Sequence, residues 1–141
     1  MNTAILKTLT MTAIMLISCT AASAGVVMIT HPSVPVDSID EDSVRQIFLG
    51  KTTLWSEELA MAPVVIKAGP VRNEFLKAYV GKSSAQFSTF WKKAVFTGTG
   101  TPPAEEKTES KLIAFVAATE GAVGFIDDET PAEGVKVLTI E

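Results

Sequence analysis

The chain contains four short, nearly all-apolar runs, at residues 25–30, 63–67, 122–126 and 135–140. Runs of this kind are typical of strands that are buried on both faces of a sheet. The segments between them place apolar residues at the three-and-four spacing of amphipathic helices. Strands that alternate with helices predict an α/β domain, in which a mixed or mostly parallel sheet is flanked by helices.

Four helices are predicted from their start signals. Asp40 is placed to cap the first helix, and Pro70 suits the first position of the second. Ser83 and Gln86 have the spacing of a capping box at the start of the third. The fourth follows a loop rich in Gly, Thr and Pro at residues 97–103, which lacks the Gly-Lys-Ser/Thr ending of a phosphate-binding P-loop.

The first 24 residues have the pattern of a secretory signal peptide. Lys7 precedes a short apolar stretch, which ends in the small residues before and including Ala24. The stretch is too short and too rich in Thr and Ser to span a bilayer. We therefore expect a signal peptide at 1–24 and one soluble periplasmic domain at 25–141. The alternative is a lipoprotein, because the residues up to Cys19 also resemble a lipobox.

The composition excludes several classes of function. Cys19 is the single cysteine and His31 the single histidine, which argues against a disulfide framework and against a zinc site. With 16 acidic and 12 basic residues, the chain has a formal net charge of −4, unlike a nucleic-acid-binding surface. The acidic triplet 127–129 lacks the spacing of a calcium loop and predicts a turn. No spacing brings catalytic groups together, so we expect no enzyme, no cofactor and no metal site.

The strongest candidate site is the predicted junction between the second long strand and its helix. Free backbone N–H groups at a helix start attract anions, and here they stand between two cationic side chains. The single histidine and a nearby serine follow the first strand and are candidates for the same anion, if both strands end at one edge of the sheet. The candidate anion-binding residues are therefore His31, Ser33, Lys67, Gly69, Val71 and Arg72. The alternatives are an ordinary tight connection with solvated cations, and a histidine that only caps its strand.

The order of several motifs resembles that of the phosphate-type periplasmic solute-binding proteins. The stretch from Ile47 to Lys51 is similar to that family's "IF-x-GK" helix end, and Trp55 follows it at the expected place. The stretch from Gly121 to Phe125 is similar to the family's "G-A-I-G-Y" strand. The resemblance implies a periplasmic-binding-protein-like lobe, phosphate or another small oxyanion as ligand, and a membrane transporter as partner.

The chain departs from that family pattern in two ways. The stretch from Gly69 to Arg72, followed by Phe75, stands where the family has Ser-Gly-Thr before its Phe, so both ligand hydroxyls are missing. The chain is also long enough for only one of the two lobes that clamp phosphate in the family. We therefore expect a single-lobe solute-binding-like protein that binds an oxyanion weakly. The alternative is a ligand-free interaction or sensor-accessory module, whose partner is a membrane sensor, a transporter or a second copy of the chain.

Overall fold

The computed structural model describes residues 25–141, so the predicted leader and its two processing routes lie outside the described residues. The strands are β1 (Val26–Thr30), β2 (Ser38–Ile39), β3 (Leu54–Ser56), β4 (Leu59–Ala60), β5 (Ala62–Ile66), β6 (Ala104–Glu106), β7 (Ala122–Asp127) and β8 (Lys136–Ile140). The helices are α1 (Glu41–Phe48), α2 (Pro70–Phe75, which continues as a π-helical turn at Leu76–Val80), α3 (Ser84–Thr97) and α4 (Glu109–Ala118).

Six strands form one mixed sheet in the order β2-β8-β1-β7-β5-β6. Strand β1 lies inside the sheet and is antiparallel to both of its neighbours, β7 and β8. The pairs β5–β7, β5–β6 and β2–β8 are parallel. Strands β3 and β4 form a separate hairpin. The predicted α/β class and the mixed sheet are therefore confirmed.

Helices cover both faces of this sheet. Phe125 of β7 stacks on Phe75 of α2 with ring centroids 3.9 Å apart, and Phe48 of α1 meets both rings edge-on. The preceding residue of β7, Gly124, lies on the opposite face. A Cβ atom there would lie only 2.9 Å from Leu112 of α4, so the glycine allows this helix to approach the sheet closely. The two faces together bury the core.

Helix α3 is tied to the end of α1 through Trp91. The indole Nε1 donates a hydrogen bond to the carbonyl of Phe48 at 3.2 Å. Gly50 has φ +73°, and a Cβ atom on it would lie 2.6 Å from the indole ring. The glycine of the "IF-x-GK" motif therefore serves two purposes here, since it ends α1 and makes room for Trp91.

The four long strands and the four helices confirm the elements predicted from sequence. Three features were not predicted, namely the short strand β2, the β3–β4 hairpin and strand β6. Strand β6 directly follows the loop at 97–103 and forms the edge of the sheet beside β5. Within residues 25–141, no helix has the length and apolar content needed to cross a membrane.

Candidate anion site at the start of helix α2

The junction between β5 and α2 lies at the protein surface, where Ala68 and Pro70 are exposed and Gly69 is half-buried. Lys67 is exposed, and its N–H donates to the carbonyl of Glu106, which holds the end of β5 against β6. Gly69 adopts φ +110°, a conformation that favours glycine, and a Cβ atom there would meet nothing within 4 Å. Pro70 then begins the helix, and the N–H of Asn73 makes the first helical hydrogen bond to Gly69.

Helix α2 starts without a side-chain cap, unlike the other three helices in residues 25–141. Asp40 caps α1, Ser83 caps α3 through a complete capping box, and Thr108 caps α4. At α2, no side chain accepts a hydrogen bond from the helix start. The N–H groups of Gly69, Val71 and Arg72 have no hydrogen-bond partner among the described residues. These groups, together with the positive end of the helix dipole, can bind an anion.

The start of α1 has a carboxylate cap and acidic residues in its first turn, and the start of α2 has neither. The N–H of Ser43 donates to the Asp40 carboxylate at 2.7 Å, and this bond lowers the pKa of Asp40 below its usual value. The cap therefore stabilises the fold above the ordinary carboxyl range, and this contribution is lost as the pH falls through the lowered pKa. Glu41 and Asp42 add negative charge to the first turn of α1, whereas the first turn of α2 contains no acidic residue.

Arg72 is buried, and its side chain forms a structural link. Its Nε donates to Ser84 Oγ at 2.9 Å, and its Nη1 donates to the carbonyl of Ile66 at 3.0 Å. The guanidinium also lies 5.3 Å from the ring centroid of Phe87. Burial lowers the pKa of Arg72, and the charge of Glu105 opposes this shift. The sequence predicts a solvated or anion-binding guanidinium at the junction, but the Arg72 side chain joins β5, α2 and α3 inside the protein.

His31 and Ser33 follow the end of β1, which lies level with the start of β5, whereas the junction follows the end of β5. The structure therefore does not bring them to the same site. His31 Nδ1 lies 2.8 Å from Ser33 Oγ, and the N–H of Ser33 also donates to Nδ1. Ser33 Oγ accepts the N–H of Gly121, and Val34 closes the turn by donating to the carbonyl of His31. The two residues therefore form a turn that caps β1.

The direction of β1 explains this separation. A shared site for these residues requires that β1 and β5 end at one edge of the sheet, as in a parallel sheet. In the structure, β1 is antiparallel to β7 and β7 is parallel to β5, so the end of β1 lies level with the start of β5. The five residues of β5 then separate the two turns by about 16 Å along the strand direction, at roughly 3.3 Å per residue.

The chain matches no protein-family model and no curated protein. Its fold is similar to that of a protein from Clostridium perfringens described as a phosphate ABC transporter substrate-binding protein and solved with bound phosphate, with a TM-score of 0.64 and 21% identity. It is also similar to an ABC-type phosphate transport receptor from Vibrio cholerae (TM-score 0.56, 17% identity) and to PstS from Borrelia burgdorferi (TM-score 0.63, 12% identity). Each match covers 82% of this chain.

The chain has the fold of phosphate ABC transporter substrate-binding proteins. It spans less than half the length of these three proteins, since the matches cover 44%, 46% and 47% of them. The resemblance in the sequence motifs is therefore accompanied by a resemblance in fold, which covers one part of each of these longer proteins.

The remaining sequence candidates have local roles in the fold. Asp127 accepts the N–H of Glu129 in a turn, and the described residues contain no cluster of three metal-ligating side chains. Ser84, the partner of Arg72, is not among the sequence candidates, because no local pattern relates two residues on different helices. Trp55, which follows the "IF-x-GK" stretch, donates its indole N–H to the carbonyl of Gly121.

Proposed function

We propose that this chain is an exported solute-binding-like protein of the phosphate transporter type, which binds phosphate or another small oxyanion weakly at the start of α2. The ligand is held by the N–H groups of Gly69, Val71 and Arg72, and Lys67 supplies the side-chain charge. The observation that carries the proposal is the open, uncapped start of α2 at the end of β5. The similar solved proteins are described as binding proteins and transport receptors, and we propose binding rather than catalysis here.

The geometry favours a small anion of low specificity and modest affinity. Gly69 exposes the backbone because it has no side chain and no close neighbour, so an oxyanion can approach the N–H groups directly. Lys67 is exposed and acts as a flexible point charge, without the planar fork that would select one oxyanion. Lys67, Ala68 and Pro70 at the junction are exposed, and hydrogen bonds to a charged ligand are weaker beside water than in a closed site.

Calorimetric titration of the purified protein with phosphate and with sulfate tests this function. Lys67→Ala should weaken binding about two- to fivefold, which corresponds to a pair of exposed charges. Lys77→Ala is the matched control, because Lys77 is an exposed lysine on the same helical segment but far from its start. Affinity should fall as salt is added, since exposed charges are screened. No heat of binding at millimolar phosphate or sulfate would contradict the proposal.

The exposed end of α3 favours a second function, a protein-interaction module. Phe96 is 92% exposed and Val95 is 56% exposed, so two adjacent apolar side chains face solvent. A membrane transporter or sensor protein, or a second copy of the chain, is the partner that this function requires. Crosslinking in the periplasm should capture such a partner with the wild type and lose it with Phe96→Ser. Equal capture by both proteins would contradict an interface at this end of α3.

A further inference from the structure

A cavity of about 210 Å³ lies beside α3 at the edge of the sheet formed by β5 and β6. Its buried walls are apolar and come from Val65, Phe87, Trp91 and Pro103. Arg72 also lines this cavity, although only 2% of the residue is exposed. We refer to it as the Arg72 cavity. It is distinct from the anion site at the start of α2, since side chains from β5, α2, α3 and β6 line it rather than the backbone N–H groups of the helix start.

Arg72, which lines this cavity, has hydrogen-bond donors that no described residue uses. Nε and Nη1 are each used once, on Ser84 and Ile66, while Nη2 donates to no residue in the part of the chain that the structure describes. A guanidinium has five N–H donors, so three have no partner among the described residues. The two internal hydrogen bonds and the Phe87 ring fix the position of the guanidinium. A ligand therefore meets a preorganised cation and not a flexible one.

Two opposite charges stand at the solvent side of the cavity. Lys92 of α3 and Glu105 of β6 both line it and are both exposed. Neither forms an ion pair within residues 25–141. Lys92 can therefore turn towards an anion bound to Arg72. Glu105 repels anions, and it repels a dianion more strongly than a monoanion.

We propose that the Arg72 cavity binds a small organic monocarboxylate. A carboxylate matches the planar guanidinium in geometry and charge, which gives paired hydrogen bonds. The apolar part of the ligand then packs against Phe87, Trp91 and Pro103. Inorganic phosphate fits poorly, because it has no apolar part and because a second negative charge is costly to desolvate beside apolar walls and Glu105.

NMR titration of the whole protein with benzoate tests this proposal, and benzamide serves as the uncharged control of similar shape. Trp91 Nε1 and Arg72 Nε report on the cavity. Trp55 is the internal control, because its indole N–H is bonded to Gly121 at the other edge of the sheet. Benzoate should shift the Trp91 and Arg72 signals in a saturable way and leave Trp55 in place. Benzamide should shift neither signal at the same concentrations.

Charge variants at the exposed side of the cavity provide the second arm of the test. Lys92→Ala should weaken benzoate binding about two- to fivefold, and Glu105→Gln should strengthen it by a similar factor. Lys93→Ala is the matched control, since Lys93 is the next exposed lysine on α3 but does not line the cavity. These variants leave the buried Arg72 intact, so the fold is not at risk.

The outcomes separate this site from the site at the start of α2. Lys67→Ala should leave benzoate binding unchanged, and phosphate should leave the Trp91 signal unchanged. Benzoate should shift the Trp91 signal whether or not phosphate binds at the start of α2. Equal shifts from benzoate and benzamide would reduce the cavity to an apolar pocket without anion recognition. Absence of any Trp91 or Arg72 shift at tens of millimolar benzoate would overturn the proposal.

Discussion

Two turns at opposite edges of the sheet carry the polar residues that the sequence offers for anion binding. The turn after β1 contains His31 and Ser33, and the junction after β5 contains Lys67 and Gly69. In the first turn, side chains and backbone are bonded to each other and to Gly121. In the second, the N–H groups of the helix start have no hydrogen-bond partner among the described residues. A polar turn is therefore a candidate binding site only where its hydrogen-bonding groups have no partner within the protein.

Gly121 is the centre of the closed turn. Its N–H donates to Ser33 Oγ, and its carbonyl accepts both the indole of Trp55 and the N–H of Ala62. These bonds join β1, the β3–β4 hairpin, β5 and β7 at one point. The junction after β5 has no comparable set of bonds, which is why the two turns should respond differently to mutation.

The largest effect is expected from Gly121→Ala. The new Cβ atom would lie 2.0 Å from the carbonyl oxygen of Ala60, and φ is +75°. Steric overlap and backbone strain together should lower the free energy of unfolding by about 3–5 kcal/mol, measured by urea denaturation. Gly134→Ala is the control, because φ is +74° there but the nearest atom is 3.8 Å away. That variant should lose only about 1–2 kcal/mol. Equal losses would show that the closed turn has room to adapt.

Arg72→Ala should have the next largest effect, by destabilising the fold. The change removes two hydrogen bonds from a buried cation and leaves the carbonyl of Ile66 without this donor. A loss of about 2–4 kcal/mol in the free energy of unfolding is expected. Arg45→Ala should change stability by less than about 0.5 kcal/mol, since Arg45 is exposed and forms only a 3.8 Å surface pair with Asp42. A stable Arg72→Ala protein would mean that the guanidinium is not a structural link.

Ser33→Ala should have a smaller effect, confined to the closed turn. It deprives the buried N–H of Gly121 of its partner, and the expected loss is about 1–2 kcal/mol by thermal or urea unfolding. Ser56→Ala, at an exposed position of β3, should be neutral by comparison. If Ser33→Ala instead weakened phosphate binding without loss of stability, the contrast between the two turns would be wrong.

Lys67→Glu should have the smallest effect on stability, about 0.5 kcal/mol or less, because the side chain is exposed and makes no hydrogen bond among the described residues. Its effect on oxyanion binding should exceed that of Lys67→Ala, since it adds a repulsive charge. Unfolding curves and phosphate titrations on the same protein sample separate the two quantities. A large loss of stability in this variant would mean that the junction is less open than the structure describes.

Local patterns were sufficient for the long elements of the fold but not for their pairing. The apolar run of β1 fits a parallel or an antiparallel strand equally well, because both its faces are buried, so its direction was not predictable. Strands β2 and β6 have two and three residues, too few for a periodic signal, and they exist only through pairing with β8 and β5.

The candidate site was predicted in part for the same reason. The start of α2 follows from Gly69 and Pro70, which are local signals. The burial of Arg72 depends on Ser84 of α3 and on Phe87, and the separation of His31 from the junction depends on the direction of β1. Both features depend on contacts between segments that are distant in sequence, so residue spacing within one segment does not predict them.

The most direct test of the account is an NMR titration with phosphate that follows backbone amides at both turns. We predict saturable shifts at Gly69, Val71 and Arg72, whereas the amides of Ser33 and Gly121 stay in place. Shifts centred on Ser33 and Gly121, with none at the start of α2, would contradict the central claim that the open junction is the anion site.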